Sequence, residues 1–304
     1  MASSGNRVGP DLVIAGAARS GTTQLAARMA LHPEIDACAV KEPNYFSREF
    51  DKGNAWYDSY FKPRSPSLVR MDASVSYTFP QYPDALRRLA DEAPDAQVVY
   101  VARDPIDRAV SHYLLYRYYF GHESARDFAS ALRTRQFYQD VSDYGRWLGD
   151  LHAVYPDEQL LVVPFRAVTT AGADVANVLF RQLGLSEPPE VDEAEVRAHQ
   201  HNVVTFRSET VRRMTRVVRH SRAYPMARRA LGAHTVKRVR SLLTRVPEMP
   251  TAEQALASCD ARQRAELADL RARAEEAVGQ ELVRQDARLG LAWAELWGPS
   301  VRTS

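Results

Sequence analysis

Cysteine is nearly absent from this chain. Cys38 and Cys259, the only two in 304 residues, cannot build a disulfide framework and lack the close spacing of a metal-binding pair. A reducing, cytoplasmic setting is the expectation. Long hydrophobic runs are missing too. The run over residues 12–18 is about half a signal-peptide core in length and far short of a membrane span. Charge of one sign is not in excess: 40 Lys and Arg face 38 Asp and Glu, a net of +2, so the chain as a whole is no polycation. No internal repeat is visible, and no Asp or His cluster has metal-ligand spacing. What is present is ordinary for a globular protein. Hydrophobic residues make up 45% and charged residues 26%, enough apolar material for a substantial core.

Apolar runs on both strand faces alternate with amphipathic segments. Strands are expected over 12–15, 35–40, 68–71, 97–102 and 159–163. Helices are expected over 22–31, 56–61, 82–93, 106–119, within 137–154, and over 171–183. A single long helix over 252–289 follows, and the two tryptophans of 291–297 close the chain. This pattern predicts one α/β domain over 1–304, with a central parallel sheet covered by helices on both faces and a helical C-terminal extension. Ligands of such folds bind at the carboxyl ends of strands.

Motifs sit at such ends after Ala15, after Met71 and after Ala102, and three segments of the chain carry candidate chemistry. The first, Gly16-Ala17-Ala18-Arg19-Ser20-Gly21-Thr22-Thr23-Gln24, is a strand-turn-helix loop whose glycines match a phosphate loop. Lysine is missing from it: Thr22 stands in the lysine position, and Arg19 is the nearest cation. The loop offers hydroxyls and a guanidinium fork to an anion, but not the usual grip on a magnesium nucleoside triphosphate. The second is Arg103-Asp104-Pro105-Ile106-Asp107-Arg108 with Ser111, His112 and Tyr113. Here Arg103 ends a strand and Ser111 lies about two turns into a helix. Asp104 reads as its N-cap, Arg108 as part of a solvated face and His112 as a packing or surface residue. The third is Lys41-Glu42-Pro43 with Tyr45 and Phe46. A carboxylate in such a loop is either a solvated partner of Lys41 or, if desolvated, a general base. Tyr113, Tyr116 and Phe120 share one helical face, either as core or as a pocket wall.

Together these segments resemble the sulfotransferases that use 3′-phosphoadenosine 5′-phosphosulfate (PAPS). The branch most similar contains bacterial enzymes and the sulfotransferase domain of the heparan sulfate deacetylase/sulfotransferases. Lys41-Glu42-Pro43 with Phe46 matches its K-E-P-x-x-F element. Asp72-Ala73-Ser74-Val75-Ser76-Tyr77 matches its acidic-x-[ST]-x-x-Tyr element. The resemblance covers about residues 10–165 and implies a P-loop-like fold. It implies that Ser20, Gly21, Thr22, Thr23 and Gln24 line the 5′-phosphate, and that Arg103 and Ser111 hold the 3′-phosphate. It places Arg19, where many members carry lysine, beside the transferring group, and Glu42 at the catalytic base. It implies acceptor contacts at Lys41, Asp72, Ser74 and Tyr77. A later donor-binding loop is assigned to the region of Arg207. The implied product is adenosine 3′,5′-bisphosphate, and no metal is expected.

Residues 207–245 hold twelve Lys or Arg and one acid, Glu209. A basic helical arm or lid is expected at about 205–250. It can face solvent, cap an acceptor pocket for a small molecule or carbohydrate, or touch an anionic membrane peripherally. Nucleic acid is not an expected partner, because no recognition motif accompanies the charge. Two other functions stay open on sequence alone: a nucleotide or small-molecule kinase with a degenerate phosphate loop, and a non-enzymatic membrane- or nucleic-acid-binding protein.

Overall fold

Five strands form one parallel sheet in the computed structural model, which describes residues 9–186, 205–206, 244–245 and 249–297. They are β1 (Leu12–Gly16), β2 (Ile35–Ala37), β3 (Val69–Asp72), β4 (Gln97–Ala102) and β5 (Leu160–Pro164), in the order β2-β3-β1-β4-β5. Every residue of β1, β4 and β5 is buried. Successive side chains of a strand point to opposite faces, so both faces of the sheet are covered there. Among the described residues, the helices of eight residues or more are α1 (Thr22–Met29), α2 (Ala85–Glu92), α3 (Pro105–Leu114), α4 (Tyr144–His152), α5 (Gly172–Gln182) and α6 (Ala261–Leu289).

The strand order positions the site. From β1 the chain moves to β2 at one edge, returns through β3, then crosses to β4 and β5 on the other side. Connections therefore diverge at β1, and the crevice beyond its carboxyl end is where such sheets take ligands. Pairing between β1 and β4 runs in register from Leu12↔Gln97 to Ile14↔Val99, then slips so that Gly16 meets Tyr100. A Cβ at Gly16 would lie 2.5 Å from Thr78 Oγ1 and 2.7 Å from Tyr100 Cε2, so only glycine fits this turning point.

The C-terminal part protects the sheet edge. The side-chain amide of Gln285 on α6 pairs with Val162 of β5, accepting from its N–H at 2.7 Å and donating to its C=O at 2.9 Å. Arg288 Nη2 donates to Leu160 O at 3.2 Å. These contacts occupy backbone groups that an edge strand would otherwise present for pairing.

Two expectations are corrected. The long helix over 252–289 is two helices, Ala252–Ala257 and α6, each opened by a capping box: Thr251 with Gln254, then Asp260 with Gln263. The helix over 106–119 is α-helical only to Leu114, and Leu115–Phe120 is π-helical. Tyr113 is buried against Phe128 and Tyr138, and Tyr116, half-buried, stacks on Phe137 and also meets Tyr138 and Phe120. Of the basic arm, the described backbone consists of 249–250 and a short antiparallel ladder, β6 (Thr205–Phe206) with β7 (Thr244–Arg245). Arg207 and the rest of the arm lie outside the described residues.

Candidate active site

The first loop turns sharply between β1 and α1. Arg19 has φ 70° and Gly21 φ 88°, both left-handed, and a Cβ at Gly21 would press on the Phe165 ring at 3.0 Å. Gly21 is the N-cap of α1 and contributes no side-chain cap, so the positive end of the helix faces the turn. Ser20 is fully buried beside the Tyr144 hydroxyl, which itself donates to Arg103 O at 2.7 Å. Thr22 is buried, Thr23 half-buried, and Gln24 lies in the first turn with its N–H on Gly21 O at 2.9 Å.

The second segment closes on the first. Asp104 caps α3 as expected, accepting from Ile106 N at 3.0 Å and Asp107 N at 2.8 Å. The Tyr144 hydroxyl holds the backbone of Arg103. The Arg103 guanidinium lies 4.7 Å over the Phe165 ring, and its Nη1 donates to Arg19 O at 3.2 Å. Arg19 Nε donates to Ser111 Oγ at 3.1 Å, joining residues 92 apart in sequence. The result is a cleft of about 220 Å³ lined by Arg19, Arg103, Asp107 and Ser111, with an apolar wall that includes Val110 and Leu114. Burial lowers the Arg19 pKa. The neighbouring Arg103 charge acts the same way, and Glu42 opposes them. Two cations held this close are relieved by an anion. The Ser20 hydroxyl, the helix end and the two arginines form a donor-rich set that fits phosphate or sulfate oxygens.

Beneath the loop lies a residue the sequence misplaces. Arg108, read as solvated, is 0% exposed. It donates to Ser142 Oγ and Tyr138 O, both at 2.6 Å, and to Ala18 O at 3.4 Å, and its Nη1 lies 3.0 Å from His112 Nδ1. Burial brings its pKa down to about 10. It braces the phosphate loop from below. In the sequence it stands as the second arginine of the segment that opens at Arg103 and carries Ser111. His112 is buried among Phe79, Phe137 and Tyr138, and burial, then the Arg108 charge, hold it well below the ordinary histidine range.

The third segment lies against the same phosphate loop. Lys41 Nζ donates to Thr23 Oγ1 at 2.9 Å and lies 4.0 Å from Glu42 Oε1, tying the Glu42 loop to α1. The Glu42 side chain keeps 35% of its area exposed, yet burial raises its pKa; Lys41, Arg48 and Arg19 pull it down and Asp72 pushes it up. Glu42 and Asn44 both stand at φ 54°. The Tyr116 phenol is raised by burial and by the Glu42 charge, which places it within electrostatic reach of the carboxylate. Asp72, Ser74 and Tyr77, expected as acceptor contacts, are each 0% exposed. They bond to one another beneath the Glu42 loop instead of lining open surface. The structure thus brings together Arg19, Thr23, Lys41, Glu42, Arg103 and Ser111 and keeps Asp72, Ser74 and Tyr77 behind them.

Comparison with known proteins agrees with this geometry. Residues 9–226 match the sulfotransferase domain family. A segment of 109 residues is 34% identical to heparan sulfate glucosamine 3-O-sulfotransferase 6 of Mus musculus, covering 36% of this chain and 31% of that protein. The bifunctional heparan sulfate N-deacetylase/N-sulfotransferase 1 of Caenorhabditis briggsae is 33% identical over 108 residues, covering 34% of this chain and 12% of the relative. The chain spans about a third or less of the length of these relatives. A sulfotransferase from Alicyclobacillus acidocaldarius superposes with a TM-score of 0.51 at 27% identity, covering 61% of this chain and 87% of the other. With the family matched over more than half its length, and with its motifs converging on one cleft, the chain belongs to the sulfotransferase domain family.

Proposed function

We propose that the protein moves a sulfuryl group from PAPS to a hydroxyl, with an amine as second choice, of a small-molecule or carbohydrate acceptor. The observation that carries this reading is the Arg19–Ser111 hydrogen bond, which fuses two anion-binding motifs into one cleft. A nucleotide phosphorylated at both ends of its ribose requires such a double grip. When bound, PAPS supplies the sulfuryl group, and adenosine 3′,5′-bisphosphate is left. Ser20, Gly21, Thr22, Thr23 and Gln24, with the end of α1, hold its 5′ side. Arg103 and Ser111 hold the 3′-phosphate, and the Arg207 region contributes a later contact.

Alignment and charge stabilisation are the main demands of such a transfer. Arg19 sits between the two grips and stabilises charge on the departing phosphate. Its guanidinium keeps its protons, so its part is electrostatic. Glu42 takes the proton from the acceptor. Burial makes it a stronger base than an ordinary glutamate, and the cations Lys41, Arg48 and Arg19 favour its ionised form. The names of the heparan sulfate relatives support a carbohydrate acceptor. The arginine density of the arm supports peripheral contact with anionic lipid.

Thermal shift separates this reading from its rivals. Adenosine 3′,5′-bisphosphate should raise Tm at concentrations well above its Kd. Stabilisation by ATP–Mg alone, or only by anionic vesicles or an oligonucleotide, would overturn it.

A further inference from the structure

We infer that Asp72 is a positioning residue for the Glu42 carboxylate and acts through Ser74 and Asn44. The inference rests on the reading of this loop as the catalytic one. Asp72 ends β3 and is completely buried, so it cannot touch an acceptor. Its Oδ2 accepts the hydroxyl protons of Tyr57 at 2.8 Å and Tyr77 at 2.6 Å, and its Oδ1 accepts that of Ser74 at 2.7 Å. A hydroxyl has one proton. With that proton on Asp72, the Ser74 oxygen presents lone pairs elsewhere, and it accepts the Asn44 N–H at 3.1 Å. Asn44 Nδ2 then donates to Glu42 O at 2.5 Å, while Asn44 Oδ1 accepts from Ser76 Oγ at 2.6 Å.

These bonds converge on a turn that L-residues adopt reluctantly. Glu42 and Asn44 are both left-handed, on either side of Pro43. Without its network the turn relaxes toward ordinary backbone, and the Glu42 carboxyl leaves its recess beside the cleft. The chemistry at position 72 is directional. An amide in place of the carboxylate puts an NH₂ group where an oxygen stood. Facing Ser74, it leaves the Ser74 proton without its acceptor. Facing the tyrosines, it opposes two O–H donors. Charged groups acting on the Glu42 carboxyl are Lys41, Arg48, Arg19 and Asp72, and the Tyr116 phenol lies within reach of its charge.

The test reads Glu42 directly and needs no acceptor. Protein labelled with ¹³C at the Glu side-chain carboxyl is titrated by NMR, and the Glu42 signal is assigned by its loss in Glu42→Gln. Ser74→Ala is the decisive variant, because it removes a bond and no charge. The expected result is a Glu42 midpoint that falls toward the ordinary glutamate range in Ser74→Ala and returns in Ser74→Thr. Affinity for adenosine 3′,5′-bisphosphate should stay within about twofold, a difference well under 1 kcal/mol. Ser74→Cys, which keeps the packing and the charge but offers only a weak donor and acceptor, replaces it should Ser74→Ala not fold, and is expected to move the midpoint the same way. A folded Ser74→Ala or Ser74→Cys protein with an unmoved Glu42 midpoint overturns the inference. The base reading fails separately, if Glu42→Gln retains sulfuryl transfer. That outcome leaves the titration result standing.

Discussion

Replacing Arg103 with alanine should remove recognition of the 3′-phosphate while leaving the fold intact. The guanidinium lines the cleft, is propped by the Phe165 ring at 4.7 Å, and gives one N–H to Arg19 O at 3.2 Å. Its fork therefore has donors left for phosphate oxygens. One or two charge-assisted hydrogen bonds at about 1.5–3 kcal/mol each, reduced by the open cleft, give a loss of about 2–4 kcal/mol. That is roughly 30- to 1,000-fold in Kd. The loss of the Arg19 O contact loosens the phosphate loop as well, by about 1 kcal/mol, and weakens any nucleotide equally. A comparison removes this common part. Calorimetric titration of wild type and Arg103→Ala with adenosine 3′,5′-bisphosphate and with adenosine 5′-phosphate gives four affinities. Wild type should prefer the bisphosphate strongly, and the variant should lose most of that preference. An unchanged ratio of the two Kd values in Arg103→Ala would refute the assignment of this cleft to the 3′-phosphate.

Other outcomes follow from the same structure. Arg108→Met strips partners from Ala18 O, Tyr138 O and Ser142, all buried; chemical denaturation should show a loss of about 2–4 kcal/mol. Gln285→Leu leaves both backbone groups of Val162 without their amide and should cost about 2 kcal/mol or more, read as a fall of several degrees in Tm. Glu42→Gln should change stability with a definite sign. A carboxyl whose folded pKa is raised stabilises the fold below the ordinary glutamate range and loses that contribution as pH rises through the folded value. The Gln variant should therefore match wild type in acid and melt higher at neutral pH and above. A lower melting point there would reverse the sign of the Glu42 shift.

Much of the sheet is readable from sequence because its strands are buried on both faces and appear as unbroken apolar runs. The 12–15 and 97–102 segments are examples. The turns that hold Arg19 and Arg103 are readable for a related reason: they follow β1 and β4, where the chain must turn and residue choice is narrow. Arg108 is harder. Its partners are a serine and backbone carbonyls from distant segments, and no spacing announces them. Gln285 lies 123 residues from the Val162 amide it pairs with. Tyr113 and Tyr116 both meet Tyr138, as a shared helical face requires, but nothing in the residue pattern marks the change to a π-helix at Leu115. The break between the last two helices was visible, as Asp260 followed by Gln263. It was masked by the continuous amphipathic pattern on both sides. Asp72 and Ser74 were legible as motif residues, yet burial gives them a place behind the cleft that sequence could not assign.

Transfer of the sulfuryl group from PAPS with Glu42 as the base is read out by incubation with ³⁵S-labelled PAPS and a mixed panel of glucosamine oligosaccharides, phenols and aliphatic alcohols, with wild type and Glu42→Gln side by side. Wild type should move label from the nucleotide to at least one acceptor. The variant, still binding adenosine 3′,5′-bisphosphate, should be slower by roughly 10²–10⁴-fold, the range expected for loss of a general base. Label moved equally well by both proteins, or moved by neither while ATP–Mg binds in preference, would contradict the account.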